Sequence, residues 1–171
     1  MKLGTTLRTL PLVLVMLAIA GPSAANDGES SRATLKGLAG VNVLVEDFDD
    51  DDRRAGFDEK AFQTAAELKL RLAGIKVLTR VERLSTPGMP WLYVNVNSMA
   101  TEADRIAPGA ISLELNQGAR LERNGESATA ATWSVRALGI GDAPYALEGF
   151  KEQMDKFLNA WLSVNPKGAA K

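Results

Sequence analysis

Four aspartates between residues 47 and 58 have the spacing of a calcium-binding loop. They fall at positions 1, 3, 5 and 12 of that template, whose alternate oxygens would converge on one ion: Asp47, Asp49, Asp51 and Asp58. The template expects glycine at Asp52, an apolar residue at Arg54 and glutamate at position 12. The alternative is a solvated acidic loop, partly neutralised by Arg53 and Arg54, that places negative charge at a helix N-terminus.

The chain contains no histidine and no cysteine, which removes much of catalytic and metal chemistry. No disulfide can form, no Ser-His-Asp or Cys-His arrangement can be built, and a zinc site would have to rely on carboxylates alone. Carboxylate pairs such as Glu46 and Glu114 remain, but their separation decides their chemistry and is not fixed by the sequence. We therefore expect a protein that is not an enzyme and needs no cofactor.

A second set of polar side chains alternates along one predicted strand. It consists of Trp91, Tyr93, Asn95 and Asn97. Asparagine and tyrosine can hydrogen-bond a sugar or a peptide, and tryptophan can stack on it. Alternation alone does not say which face of a strand is covered. The set is therefore a ligand face, the solvent side of a sheet, or a surface beneath a helix.

The segment GIGDAP, residues 139–144, superficially resembles a phosphate-binding loop because it precedes a helix. Such loops direct bare backbone N–H groups at the phosphate, whereas Asp142 would occupy those donors and repel an anion. A turn followed by a helix cap is the favoured interpretation. Downstream, Met154, Phe157 and Trp161 have helical spacing and are expected in the core, with a groove for a partner as the alternative.

Apolar patterning predicts the element order β-α-β-β-β-β-α. The predicted strands are Val41–Phe48, Ile75–Leu84, Trp91–Met99, Ala110–Arg123 and Thr129–Ala137. One helix follows the cap Asp58 and stops at Gly74, and the last follows the cap Asp142. Asn124-Gly125 predicts a hairpin with a type I′ turn. The fold class is then an α+β two-layer sandwich, a mixed sheet with two helices on one face and parallel first strands.

The first 25 residues predict a cleavable export signal. Lys2 and Arg8 precede the apolar run Leu10–Ala20, which is about half the length of a membrane span, and small residues precede Asn26. Residues 26–34 are predicted as a flexible lead-in, 35–165 as a single domain and 166–171 as a loose tail. Without the signal the chain carries 18 basic and 21 acidic side chains, a net charge of −3, which argues against nucleic-acid binding. No membrane insertion is expected after signal removal.

Three consecutive segments carry a resemblance to a known family. VNVLVEDFDD from Val41, the helix ending in LKLRLAG, and IKVLTRVERL ending at Leu84 resemble the opening of small anticodon-binding-like domains of bacterial envelope proteins. Such domains occur in the curli secretion channel, in penicillin-binding-protein activator lipoproteins and at the N-terminus of the Tol-Pal translocation protein. The resemblance implies a non-enzymatic module that docks other envelope components. It brings no catalytic residue, and this chain lacks a lipid-bearing cysteine.

Together these observations predict a periplasmic or secreted accessory protein that docks an envelope protein partner. The expected surfaces are an exposed sheet edge and the loops Asp47–Asp52 and Thr101–Pro108. The alternative is a carrier of a small ligand or of calcium, which would need a deep apolar pocket or an oxygen cage at the acidic aspartates.

Overall fold

A computed structural model of the 171-residue chain describes residues 25–101, 103 and 105–166. Five strands and five helices lie in this part of the chain. The strands are β1 (Gly40–Val45), β2 (Lys76–Val77), β3 (Trp91–Ser98), β4 (Ala107–Arg120) and β5 (Ser127–Gly141). The helices are α1 (Glu29–Ala33), α2 (Asp50–Ala55), α3 (Glu59–Ala73), α4 (Arg80–Leu84) and α5 (Ala143–Val164). The predicted export signal lies outside the described residues, apart from Ala25.

The strands form one mixed sheet in the order β2-β1-β3-β4-β5. β1 pairs in parallel with β2 and β3, and the remaining pairs are antiparallel. The predicted α+β class and the parallel first pair are therefore confirmed. The long helices begin and end where the sequence predicts: Asp58 and Asp142 accept backbone hydrogen bonds as N-caps, and Gly74 ends α3 with a φ of 89°.

The core lies between the sheet and the helices α3 and α5. One side of each long strand is buried against them, as shown by Leu92, Leu113 and Trp133, which are all 0% exposed. Phe62 joins the two helices, because its ring centroid lies 5.3 Å from that of Phe150. Trp133 packs edge-on against Phe157 of α5 at 5.2 Å. We call the sheet face that carries these side chains the inner face.

The prediction of one strand from Ile75 to Leu84 is wrong. Only Lys76–Val77 is extended, and Arg80–Leu84 forms α4. Thr79 and Glu82 make a complete capping box: the Thr79 hydroxyl accepts from the Glu82 backbone at 3.2 Å, and the Glu82 carboxylate accepts from the Thr79 backbone at 2.8 Å. Two satisfied backbone donors outweigh the β-branched residues that suggested a strand.

The acidic segment is also helical rather than a loop. Asp49 caps α2 by accepting a hydrogen bond from the Asp52 backbone at 2.8 Å. The apolar run Val41–Phe48 is typical of a strand buried on both faces, but β1 is buried on one, since Leu44 is 49% exposed. Helical periodicity groups Leu68 and Leu72 with the apolar side of α3, but they are 54% and 75% exposed. A single helical layer explains both differences, because it covers one sheet face and one stripe of each helix.

The β4–β5 hairpin forms as predicted, with a different turn. A type I′ turn needs positive φ at both Asn124 and Gly125, and only Gly125 has it, at 73°. The connection spans six residues and closes with a hydrogen bond from the Leu121 N–H to the Glu126 carbonyl at 2.8 Å. The glycine in Gln117-Gly118 suggests a bulge at that point, but the irregularity lies at Leu115/Asn116, where Thr132 is the extra residue in β5.

The segment expected to be a flexible lead-in, residues 26–34, makes specific contacts. Asn26 pairs with Ser134 of β5 through two backbone hydrogen bonds of 2.8 and 3.2 Å. Asp27 accepts a 2.6 Å hydrogen bond from the indole of the buried Trp133 and forms an ion pair with Arg32 at 2.6 Å. Polar composition did not reveal these contacts because each partner is distant in sequence or belongs to a short helix.

Candidate interaction surface

The sheet face opposite α3 and α5, here the outer face, carries the polar set singled out from the sequence. Strand alternation puts Trp91, Tyr93, Asn95 and Asn97 on this face, since the intervening Leu92 and Val94 are 0% exposed in the core. Arg83 of α4 lies over the Trp91 ring at 4.9 Å from its centroid and borders the face. The sequence left open a ligand face, the solvent side of a sheet, or a surface beneath a helix. The set faces away from α3 and α5, so it does not lie beneath either long helix.

A hydrogen-bonded network organises the polar half of the outer face. Tyr93 donates to the Glu46 carboxylate at 2.5 Å, and Asn95 donates to the same oxygen. Asn97 in turn donates to the Asn95 side-chain carbonyl. The hydrogen bond to Glu46, burial, and the negative charges of Glu46 and Glu114 raise the pKa of Tyr93 to about 12. Tyr93 therefore stays protonated at neutral pH and holds Glu46 in place rather than acting as a base.

The other half of the outer face is aliphatic. Four large side chains form what we call the aliphatic patch: Met99 (73% exposed), Ile106 (71%), Leu138 (74%) and Ile140 (65%). Leu138 and Ile140 lie opposite Ala110 and Pro108 of β4, and Met99 continues the β3 ladder through a bond to Pro108. Alternation places Leu138 and Ile140 on the outer face of β5, and Met99 and Ile106 lie just after β3 and just before β4. Scattered exposed apolar residues are ordinary, whereas a contiguous exposed apolar patch is typical of an interaction site.

Three of the four aspartates of the calcium-loop hypothesis have separate structural roles, and the fourth, Asp47, is exposed before α2. Asp49 and Asp58 cap two different helices, and Asp51 pairs with Arg54 along α2. Arg53, which faces Asp50 at 3.6 Å, makes its shorter ion pair with Glu59 at 2.6 Å. Within residues 25–101, 103 and 105–166, no group of three or more acidic side chains is placed to hold a metal ion. The helix α2 separates the carboxylates that a calcium loop would bring together.

Four ionisable side chains that could do acid–base chemistry if they were buried are not buried. Glu46 and Asp47 are exposed, and Lys69 and Glu114 are partly exposed. Sequence reasoning missed Asp52, which is 7% exposed in α2. Burial raises the pKa of Asp52, the charges of Asp49 and Asp51 act in the same direction, and a hydrogen bond with Ser98 opposes them. The Asp49 cap, three residues before Asp52, was the available signal, since it fixes which α2 side chain turns inward.

A small cleft lies where the start of α5 crosses the first residues of β4 and the last residues of β5. It holds about 120 Å³ of solvent-accessible space and is lined mainly by apolar and glycine residues, with the buried Gln153 among them. Gln153 has partners within α5, the Gly149 carbonyl at 3.4 Å and Lys156 at 2.9 Å. Pockets for metabolite-sized ligands usually enclose about 300–1,000 Å³. This cleft is not the deep pocket that the small-ligand alternative requires.

In the described part of the chain, no helix has the length and apolar character needed to cross a membrane. No protein-family model matches the sequence, and no curated protein matches it. Among solved structures, PelC from Paraburkholderia phytofirmans and a variant of it, both dodecamers, are similar to this chain. Each is 16% identical, with a TM-score of 0.40, over 72% of this chain and 86–87% of PelC.

Proposed function

We propose that the protein is an exported, non-enzymatic accessory protein of the bacterial cell envelope that docks a protein partner on the outer face of its sheet. The observation that carries this proposal is the aliphatic patch, where four large side chains are each more than 60% exposed. Transferring their surface out of water would stabilise a complex by roughly 25 cal/mol per Å². Ile106 of the patch belongs to the loop Thr101–Pro108, one of the segments expected from the sequence to dock a partner.

The charges beside the patch favour a partner that carries a basic side chain. Glu46 and Glu114 flank Tyr93, and both contribute negative charge at its hydroxyl. A partner that presents an apolar segment and, next to it, a lysine or arginine would match both halves of the outer face. The hydrogen-bonded network keeps Tyr93 and Asn95 fixed before binding, so little side-chain entropy is lost there on association.

The surface fits a protein better than a small molecule. Small ligands bind in concave sites, whereas Met99, Ile106, Leu138 and Ile140 project from a sheet face and cannot enclose one. An enzyme would need a perturbed ionisable group in a pocket, and the groups on the outer face are exposed or, like Tyr93, locked in the protonated state.

Site-specific crosslinking in producing cells tests the proposal. A photo-reactive amino acid is placed at Met99 or Ile106, and at Leu72 as the control, because Leu72 is an equally exposed aliphatic residue (75%) on α3, on the other side of the molecule. We expect one discrete adduct from the two patch positions and none from Leu72. Equal labelling from all three positions, or no adduct from the patch, would contradict the proposal.

The captured protein must then be identified, purified and titrated against the chain. Ile106→Asp places a charge in the patch, and Leu72→Asp places the same charge on α3. We expect Ile106→Asp to weaken binding at least about tenfold, which corresponds to about 1.4 kcal/mol, and Leu72→Asp to leave Kd unchanged. Equal binding by both variants would exclude the outer face as the docking surface.

A further inference from the structure

β5 is the long edge strand of the sheet, and most of its outer edge is unpaired in the described residues. Ser134 both donates to and accepts from Asn26, and no other backbone segment among residues 25–101, 103 and 105–166 pairs with this edge. Successive residues of a strand direct their N–H and C=O groups to opposite edges. Residues 136, 138 and 140 therefore direct these groups away from β4, as Ser134 does. Among the described residues, the last part of β5 is therefore unpaired and available to another strand.

The sequence of this edge lacks the features that usually prevent strand addition. Exposed edges are normally protected by lysine, proline, a bulge or a covering segment. The bulge at Thr132 and the Asn26 pairing lie upstream, and residues 137–141, ALGIG, contain neither charge nor proline. The side chains of Leu138 and Ile140 are 74% and 65% exposed. An edge of this composition can accept another strand.

The spacing of these residues is self-complementary. In an antiparallel pair of two β5 strands related by a two-fold axis at Gly139, Leu138 lies opposite Ile140 of the second copy, and the reverse. The N–H and C=O groups of Leu138 and Ile140 both point away from β4. Each of the two Leu138–Ile140 pairs therefore exchanges two main-chain hydrogen bonds, about four in all. The same register brings Arg136 opposite Asp142 of the second copy, whose carboxylate caps α5 in its own chain.

We infer that the protein forms a symmetric homodimer by antiparallel pairing of the β5 edges around Gly139. The two sheets become continuous, and the two aliphatic patches meet at the centre of one outer face. The second copy is the favoured occupant because one register satisfies the main-chain hydrogen bonds and the two Leu138–Ile140 pairs together. This inference is independent of the proposed docking partner, since it is tested on the chain alone.

Single-cysteine crosslinking tests the register directly, because the chain contains no cysteine. Gly139 of each copy would occupy a non-hydrogen-bonded pair with Cα atoms about 4.5 Å apart, a separation that a disulfide spans. A side chain at Gly139 has room, since its Cβ would lie 3.5 Å from Tyr145. We expect Gly139→Cys to form a disulfide dimer and Ala137→Cys, displaced by about 13 Å, to remain monomeric under oxidation. The opposite pattern, or crosslinking of neither, would overturn the inference.

Sedimentation of the unmodified chain supplies the second test. We expect a reversible dimer that Leu138→Pro weakens at least about tenfold, since proline removes a donor from each copy, while Leu138→Thr retains the dimer. Because a proline variant can fail to fold, Ile140→Lys provides the same test through an exposed side chain and should also shift the equilibrium to monomer. A chain that is monomeric at all concentrations, or a dimer insensitive to both Leu138→Pro and Ile140→Lys, would refute the pairing.

Discussion

Replacing Asp27 with alanine tests whether the N-terminal segment belongs to the folded domain. The Asp27 carboxylate accepts from the Trp133 indole at 2.6 Å and from the Arg32 guanidinium at 2.8 and 2.6 Å. Trp133 is 0% exposed, so Asp27→Ala leaves a buried donor without its acceptor, at a cost of about 1–3 kcal/mol. The partly exposed ion pair with Arg32 adds at most about 1 kcal/mol. We expect a total loss of about 2 kcal/mol.

Urea unfolding followed by tryptophan fluorescence measures this loss. With a denaturant slope of about 2 kcal/mol/M, the midpoint should fall by about 1 M. A double-mutant cycle separates the two contributions, because Trp133→Phe removes the donor: in that background Asp27→Ala should cost no more than about 1 kcal/mol. An unchanged midpoint for Asp27→Ala, or the same cost in both backgrounds, would refute the reasoning.

The pH dependence of the Asp27 contribution has a definite sign. Burial opposes ionisation of Asp27, but hydrogen bonds from Arg32 and Trp133 and the positive charges of Arg32 and Lys156 outweigh it and lower its pKa. The folded state therefore binds fewer protons than the unfolded state. The stability contributed by the carboxylate is present above a pH of about 4 and is lost as the pH falls through the folded pKa. The destabilisation caused by Asp27→Ala should shrink at acidic pH.

Three further substitutions have expected outcomes that equilibrium unfolding can check. The buried Trp161 indole N–H has no hydrogen-bond partner among the described residues, so Trp161→Phe should cost at least about 1 kcal/mol less than Trp133→Phe. Burial raises the pKa of Asp52, so Asp52→Asn should stabilise the protein at pH 7 and have no such effect below about pH 3, where both side chains are neutral. A Cβ at Gly141 would lie 2.3 Å from the Tyr145 ring, so Gly141→Ala should destabilise by about 1–3 kcal/mol, while Gly139→Ala is tolerated.

One result would contradict each of these three predictions. Equal costs for the two tryptophan substitutions would mean that the Trp161 donor is satisfied. A pH-independent effect of Asp52→Asn would exclude a penalty on its charged form. Equal stability of the two glycine variants would show that Tyr145 moves away at little cost.

The fold could be predicted from the sequence where local signals and burial agree. Asp58, Gly74 and Asp142 mark the ends of the long helices, and the alternation in Trp91–Ser98 follows a strand with one buried face. The prediction of a strand from Ile75 to Leu84 was wrong because β-branched residues were weighted above the Thr79–Glu82 capping box, which was visible in the sequence. Short helices such as α1 and α2 were missed because they carry too few apolar residues to show a helical period.

The polar half of the candidate surface could be predicted from the sequence, and the aliphatic patch could not. Alternation grouped Trp91, Tyr93, Asn95 and Asn97, but one strand cannot reveal which of its faces the helices cover. The aliphatic patch depends on the β3–β4–β5 register, which brings Met99 beside Pro108 and Pro108 opposite Ile140. That register is a long-range property. In the sequence, Leu138 and Ile140 have the spacing of ordinary core residues.

Methionine oxidation provides the most direct measurement of the outer face in a complex. Met99, in the aliphatic patch, is 73% exposed, and Met89, which precedes the other end of β3, is 41% exposed and serves as an internal control. Both should form sulfoxide in the free protein under mild peroxide. With the purified partner bound, we predict that oxidation of Met99 slows several-fold while that of Met89 is unchanged. Unchanged oxidation of Met99 at saturating partner would contradict docking on the outer face.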